Sequence, residues 1–428
     1  MNAICYPSRL SGTVAAIPSK SDAHRKLICA ALSGVNQLIE MHGPFCDDIA
    51  ATIRCLQALG AKIEPCEKGL TMKPIRRQPH AALDCGESGS TLRFLLPVAM
   101  TVCSDIDVTG SGRLPDRPIG TLVHAMSAHG VQFSQNHLPL HASGTLTGGV
   151  YEIEGNISSQ FLSGLMMALS FLDTDSEIRL TTPLQSSKYV NMTLDTLRQF
   201  GADIIQERTE NGLLRYSIKN TKIRKIPHSF PIDTDWSNAA FWLTAGVIQP
   251  SGTIQISGLD PHSVQGDKEI AQILMRSGAN IVLGSEEPHS AIVSCGTLSE
   301  FDVSMEEIPD LLPILAIRAA AGNGVSHFTN AARLRLKESD RLTATAEMLR
   351  ALGAKVDELP DGLTVCGGQL RGGTVDAKND HRLVMSAAIA AAVCSEPVTI
   401  LGAEAVNKSY PAFFDDYAAL GGQVDIIG

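Results

Sequence analysis

Residues 53–72 read IRCLQALGAKIEPCEKGLTM. Ile49, Ile53, Leu56 and Leu59 fall at i, i+4, i+7 and i+10, the stripe of an amphipathic helix, and Gly60 follows as its stop. Beyond the glycine the pattern changes to a strand, a turn and a second strand. The helix, stop and strand return in LVHAMSAHGVQF (122–133), TLDTLRQFGADIIQE (193–207), EIAQILMRSGANIVL (269–283), AEMLRALGAKVDELPDGLTV (346–365) and FFDDYAALGGQVDII (413–427). The stop glycines are Gly60, Gly130, Gly201, Gly278, Gly353 and Gly421, at intervals of 70, 71, 77, 75 and 68 residues. A period this long holds a whole supersecondary unit rather than a common solenoid repeat.

Between these segments lies a second helix in every unit, apolar nearly all round and therefore buried. The six are SDAHRKLICAALS (21–33), SGSTLRFLLPVAM (88–100), SSQFLSGLMMALSF (158–171), DWSNAAFWLTAGVI (235–248), IPDLLPILAIRAAA (308–321) and DHRLVMSAAIAAAV (380–393). Each opens near an N-cap residue, and capping alone accounts for any one of them. Together they place Lys20, Arg25, Arg93, Arg382 and Asp310 in the first two turns, where free N–H groups and the helix dipole favour anions.

A chain of 428 residues, 44% apolar, exceeds one ordinary core and predicts two domains. Three units precede RKIPHSFPIDTDWS (224–237) and three follow, so this Pro-containing, aperiodic stretch is the candidate linker, with the division near residues 227 to 233. The last strand, QVDIIG, needs a partner, which the N-terminal strand can supply. The net charge of −10 and pI near 5.6 argue against nucleic-acid or anionic-membrane partners. Ten cysteines without a CxxC pair and twelve histidines without HExxH spacing give no metal motif, so no metal and no cofactor is expected. The cysteines read as small buried hydrophobes in a reducing compartment. The N-terminus has neither signal nor transit character, which predicts a cytoplasmic protein and leaves the sequons at Asn156 and Asn191 without weight.

ARLRLKESDR (332–341) sets Arg333, Arg335, Lys337 and Arg341 beside Glu338 and Asp340. Two readings are open. LRLK alternates like the end of a strand, with Ser339 or Asp340 capping a helix whose stripe is Leu342, Ala346, Leu349 and Leu352. Alternatively the cations hold anionic groups next to carboxylates that move protons.

PSKSDAHR (18–25), GESGSTLR (86–93), DRPIG (116–120), SSQFLSGL (158–165), SSKY (186–189), IPD (308–310), LRLKESDR (334–341), NDHR (379–382) and NKSYP (407–411) together resemble the 5-enolpyruvylshikimate-3-phosphate synthases, in that family's order and over essentially the whole chain. The resemblance implies an α/β fold of two similar domains, each of three βαβαββ units (a six-fold, inside-out α/β barrel), with the active site in the interdomain cleft. The domains would be 15–229 and a discontinuous 1–14 with 230–428, in a protein that works as a monomer. It implies transfer of the enolpyruvyl group of phosphoenolpyruvate to the 5-hydroxyl of shikimate-3-phosphate, with release of phosphate. By similarity Lys20 touches both substrates, and Ser21 and Arg25 hold the shikimate carboxylate. Ser158, Ser159 and Ser186 bind the 3-phosphate, Gln160 stacks near the ring and contacts both ligands, and Asp310 and Lys337 reach the shikimate. The phosphoenolpyruvate side uses the Gly89 backbone, Arg117, Arg341, Arg382 and Lys408. Asp310 is expected as base toward the 5-hydroxyl and Glu338 with Lys20 as source of the methylene proton, although Lys337 and Arg341 beside Glu338 suit a base better than an acid.

Two positions depart from the familiar pattern. Glu87 replaces an Asn in the Gly-rich loop, and Arg333 stands where some members have Asn. A carboxylate near an anionic substrate must point away or be held by a cation, which leaves sensitivity to the inhibitor glyphosate open. The sister enzymes that use UDP-N-acetylglucosamine usually carry a Cys where Gly112 stands and an Asn where Ser21 stands, so both positions disfavour that activity. A non-catalytic binding protein would lose a carboxylate, but Asp310 and Glu338 are present. Ser19 in place of glycine before Lys20 disfavours a Walker A loop.

Overall fold

The computed structural model describes residues 1–41, 43–220 and 226–428. Each of the six repeats forms the same four-stranded sheet, and the stop glycines all adopt positive φ, from 76° at Gly201 to 99° at Gly60, the conformation that ends each amphipathic helix. The second unit shows the plan. Strand Ala81–Asp84 runs parallel to Asp105–Thr109, which pairs antiparallel with Leu140–Gly144, which pairs antiparallel with Val131–Phe133. A helix connects first to second strand and another connects second to third, so the order is βαβαββ.

The apolar helices are Lys20–Leu32, Gly89–Val102, Ser159–Leu169, Trp236–Ile248, Leu312–Ala320 and His381–Ala391. Every residue of Trp236–Ile248 apart from Ser237 is buried, as are all of Leu312–Ala320 and His381–Ala391. The amphipathic helices are Asp47–Ala58, Gly120–Ser127, Ser187–Gln199, Glu269–Arg276, Arg341–Ala351 and Phe413–Ala419. Seven cysteines are buried; Cys66 is exposed, and Cys295 and Cys366 are partly so.

The chain forms two compact units, 20–233 and 1–19 with 234–428. Each has its own apolar core: one runs from Ala23 to Phe230, the other joins Ala3, Cys5, Leu10 and Val14 to residues from Trp236 to Leu420. These limits differ from the sequence's 15 and 229. Pro18 bridges Thr234 and the Asp235 N–H donates to Ile17 (2.8 Å), which keeps residues 15–19 with the second half. Within the expected linker, Ser229–Pro231 is a strand, parallel to Gln37–Glu40; Arg224 and Lys225 lie outside the described residues. The first strand of the chain's fourth unit therefore completes the first sheet, and Gly12–Ala15 in turn joins the sheet of Thr253–Ser257. Asn2–Tyr6 pairs antiparallel with both Val398–Leu401 and Gln423–Ile427, giving the last strand its partner.

Helices Gly89–Val102 and Ser159–Leu169 pack at Gly164, where a Cβ would collide with the carbonyl oxygen of Arg93. Gly164→Ala should cost about 1–3 kcal/mol by overpacking. Urea denaturation measures it, and an unchanged midpoint would show that the two helices can part without loss.

Candidate functional site

In the unit comprising 1–19 and 234–428, ARLRLKESDR is not the end of a strand. Ala332–Leu336 is a 3-10 turn, and Lys337, Glu338 and Ser339 lie between it and helix Arg341–Ala351. Short turns win here because Leu334 alone of the turn is buried, so no second strand face needs covering. Asp340 caps the helix, accepting the Thr343 N–H at 3.1 Å, and Leu342, Ala346, Leu349 and Leu352 are buried as the stripe predicts. Arg335, partly exposed, lies in the turn rather than on a strand. Its Nη1 donates to Asp340 (3.1 Å), Thr343 (2.8 Å) and Glu358 (2.8 Å), which closes the turn onto the helix start.

Arg341, 1% exposed, is the centre of a charge lattice. Its Nε donates to the Asp380 carboxylate at 2.8 Å, its Nη1 to Asp310 at 2.8 Å and its Nη2 to Glu338 at 2.6 Å. Asp310 sits on a 3-10 turn, Pro309–Leu311, ahead of the buried helix rather than within it. Its carboxylate also meets Lys337 (3.2 Å) and Arg382 (3.0 Å). Burial pushes the Asp310 carboxyl up, but Arg382, Lys337 and Arg341 outweigh it and hold the group well below the usual carboxylate range. Burial likewise lowers Lys337, against the pull of Asp310. Arg341 is raised: burial opposes its charge, and Asp380, Glu338 and Asp310 prevail. Lys408 ends the 3-10 turn Ala403–Lys408 and donates to the Asn379 carbonyl at 2.7 Å, beside Asp380. Arg333 donates to the Glu306 carbonyl at 3.3 Å.

In the unit 20–233 the helix starts carry the remaining candidates. Lys20 pairs with Asp48 at 2.7 Å. Arg25, buried, donates to Thr193 (2.8 Å) and to the carbonyls of Ser21 (2.6 Å) and Tyr189 (2.9 Å), and burial lowers it to about 10. Ser158 caps the helix of Ser159, accepting the Gln160 N–H at 3.3 Å. Gln160 accepts from Arg93 (2.9 Å) and donates to Ser90 (2.9 Å). Ser186 occupies the cap position of Ser187–Gln199 with φ 54°. Gly89 lies against two guanidinium groups: a Cβ there would lie 2.8 Å from both Arg117 Nη1 and Arg93 Nη1 and would push them aside. The Glu87 carboxylate packs against the turn at Gly112, where any Cβ would collide with it. A cysteine at position 112 would have to displace the Glu87 side chain and adopt a φ of 57°, which is strained for any residue but glycine.

The structure thus gathers Asp310, Glu338, Lys337, Arg341 and Arg382 into one lattice, and Gly89, Arg117 and Gln160 around Arg93. Sequence reasoning missed Asp48 and the structural weight of Asp380. It also missed Asp267, a buried carboxyl hydrogen-bonded by Ser237 and pushed up to about 6 by burial and by Asp310, with Arg382 opposing. Asp48 had a signal in the acidic pair Asp47–Asp48 at a helix start, and Asp380 stood inside NDHR; Asp267 had none. No group of described residues forms a metal site.

The family model of EPSP synthase (3-phosphoshikimate 1-carboxyvinyltransferase) matches residues 4–417. Among curated relatives, the 3-phosphoshikimate 1-carboxyvinyltransferase of Clostridium novyi (strain NT) is 40% identical over 434 residues, covering 98% of this chain and 97% of the relative. That of Clostridium acetobutylicum is 41% identical over 430 residues, covering 98% and 97%. Among solved structures, EPSP synthase from Acinetobacter baumannii superposes with a TM-score of 0.80 at 23% identity, over 99% of this chain and 100% of that one. The enolpyruvyl transferase NikO from Streptomyces tendae gives 0.77 at 17% identity, over 99% and 98%. These two share the fold.

Asp380 is fully buried and Arg335 is about a third exposed. Asp380→Asn should therefore cost about 3 kcal/mol by removing the one fully buried carboxylate among the three that meet Arg341, against roughly 1 kcal/mol or less for Arg335→Ala. Denaturation of both variants in parallel decides; equal losses would mean the lattice is not anchored at Asp380.

Proposed function

This chain belongs to the EPSP synthase (3-phosphoshikimate 1-carboxyvinyltransferase) family, and from that membership we infer that it transfers the carboxyvinyl group of phosphoenolpyruvate to the 5-hydroxyl of shikimate-3-phosphate, releasing phosphate. The single observation carrying the reading is the family match from residue 4 to 417. The reaction belongs to aromatic amino acid biosynthesis.

The charge lattice suits this chemistry. Both substrates carry a phosphate and a carboxylate, and cations already desolvated and oriented need little reorganisation to receive them. On the unit 20–233 we assign Lys20, Ser21, Arg25, Ser158, Ser159, Gln160 and Ser186 to shikimate-3-phosphate, and Lys20, the Gly89 backbone, Arg117 and Gln160 to phosphoenolpyruvate. On the other unit we assign Asp310 and Lys337 to shikimate-3-phosphate, and Arg341, Arg382 and Lys408 to phosphoenolpyruvate.

Protonation of the phosphoenolpyruvate methylene makes its C2 cationic. The 5-hydroxyl adds as it loses its proton, and the tetrahedral intermediate expels phosphate. Asp310, held as a carboxylate, is the acceptor for the hydroxyl proton. While Lys337, Arg341 and Arg382 all face it, it is a weak base; anionic substrate that draws those cations restores its basicity. Glu338, hydrogen-bonded to Arg341, and Lys20 serve the methylene proton. The two units act as the two domains of a cytoplasmic monomer. No helix among the described residues is long and apolar enough to cross a membrane.

Phosphate release from phosphoenolpyruvate with shikimate-3-phosphate, run beside UDP-N-acetylglucosamine, tests the acceptor; release with the nucleotide sugar alone overturns the reading. Glu338→Gln should lower kcat at least about a hundredfold with smaller changes in KM, and near-normal turnover would remove Glu338 from the proton path.

A further inference from the structure

Inside the unit 20–233 a buried polar chain joins three helix starts. His24 Nδ1 lies 2.8 Å from Thr52 Oγ1, Thr52 Oγ1 lies 2.7 Å from Thr91 Oγ1, and Thr91 Oγ1 donates to Ser88 Oγ at 2.7 Å. Thr91 Oγ1 also reaches the Asp48 carbonyl at 3.3 Å, and the Thr91 N–H donates to Ser88 Oγ at 3.2 Å. His24, Thr52 and Thr91 are fully buried and Ser88 is 1% exposed. None of these groups bonds substrate in the roles assigned above.

The direction of the chain follows from His24. Burial, with Lys20 and Arg25 nearby, holds its ring well below the ordinary histidine range, so it is neutral. Its Nε2 has no hydrogen-bond partner. A buried acceptor left unpaired costs less than a buried N–H left unpaired, which places the single proton on Nδ1. His24 then donates to Thr52, Thr52 to Thr91, and Thr91 to Ser88. The Thr52 hydroxyl then has one orientation, the Thr91 hydroxyl has Ser88 Oγ at 2.7 Å as its shorter acceptor and the Asp48 carbonyl at 3.3 Å as its longer one, and the chain ends at the cap residue immediately before Gly89.

We propose that the His24–Thr52–Thr91–Ser88 chain is a positioning network that fixes the Gly89 backbone and Asp48, the partner of Lys20, for phosphoenolpyruvate. His24 is one turn beyond Lys20, Thr52 one turn beyond Asp48, and Ser88 adjoins Gly89. A buried chain of hydrogen bonds couples those three positions, so none shifts without straining a bond in a place shielded from solvent. The inference rests on the assignment of Gly89 and Lys20 to phosphoenolpyruvate.

Thr52→Val cuts the chain at its middle with little change in volume, and Thr52→Ser keeps the hydroxyl. Thr52→Val should raise KM for phosphoenolpyruvate about tenfold, with a smaller change for shikimate-3-phosphate and in kcat, and Thr52→Ser should restore it. Amide exchange in the full-length protein should quicken in residues 86–93 of Thr52→Val and return to the wild-type rate in Thr52→Ser. Thr91→Val breaks the next link and replaces Thr52→Val if that variant does not fold. A lower melting temperature with unchanged Michaelis constants and unchanged exchange at 86–93 would overturn the network. Absence of phosphate release by the wild type would count against the activity itself, while the exchange comparison still decides the network.

Discussion

The buried contact between Arg341 and Asp380 is the interaction on which the charged part of this molecule depends. Arg341 cannot lose its proton and has almost no solvent, so its charge must be met by fixed carboxylates. Asp380 answers it through two guanidinium nitrogens and also accepts from Ser339 at 3.0 Å and from the Arg382 N–H at 3.0 Å. One carboxylate thereby fixes the start of helix His381–Ala391 and the loop before helix Arg341–Ala351. With Asp380 satisfying one edge of Arg341, the other edge is free to bind Asp310 and Glu338. Asp310 and Glu338 are thus both held by a guanidinium that Asp380 fixes in turn.

This arrangement reconciles a chain of net charge −10 with a reaction between anions. The cations of the lattice are not a surface field but desolvated groups neutralised by neighbouring carboxylates, whose field reaches only a short distance. The unit 20–233 uses weaker means. Capping hydroxyls, a backbone glycine and an amide side chain there are directed at helix starts, where free N–H groups already favour phosphate and carboxylate. Two of the unit's cations, Arg25 and Arg93, hold Thr193 and Gln160.

Much of the fold was legible because each repeat carries both of its signals locally. A one-sided stripe ending at a glycine and an all-apolar helix are properties of ten to fifteen residues, and neither needs the rest of the chain to be recognised. The lattice was half legible. Asp310, Lys337, Glu338, Arg341 and Arg382 could be named, since they stand inside ordered motifs, but Asp267 beside them could not, because a lone carboxylate that serves another side chain has no spacing of its own. The strand-like reading of LRLK, one of the two left open, fails for a related reason. Alternation over four residues is compatible with either form, and the Arg335 contacts to Thr343 and Glu358 that select the turn come from later in the chain.

The exchange of strands was only partly legible. The resemblance places residues 1–14 with the later half, but periodicity leaves open which sheet a strand ahead of an apolar helix joins, and Gly12–Ala15 and Ser229–Pro231 each complete a sheet of the other's repeat. The two units are consequently unequal as chains. Residues 20–233 contain every strand of their three sheets, whereas residues 234–428 lack both Gly12–Ala15 and Asn2–Tyr6, the latter an inner strand with a neighbour on either side. The N-terminal segment is thus an integral part of the later unit's core, contributing Ala3, Cys5, Leu10 and Val14. The later unit can complete its sheets only with the beginning of the chain. The same constraint places both covalent crossings at a strand-to-helix junction, with Lys20 as the first residue past one of them.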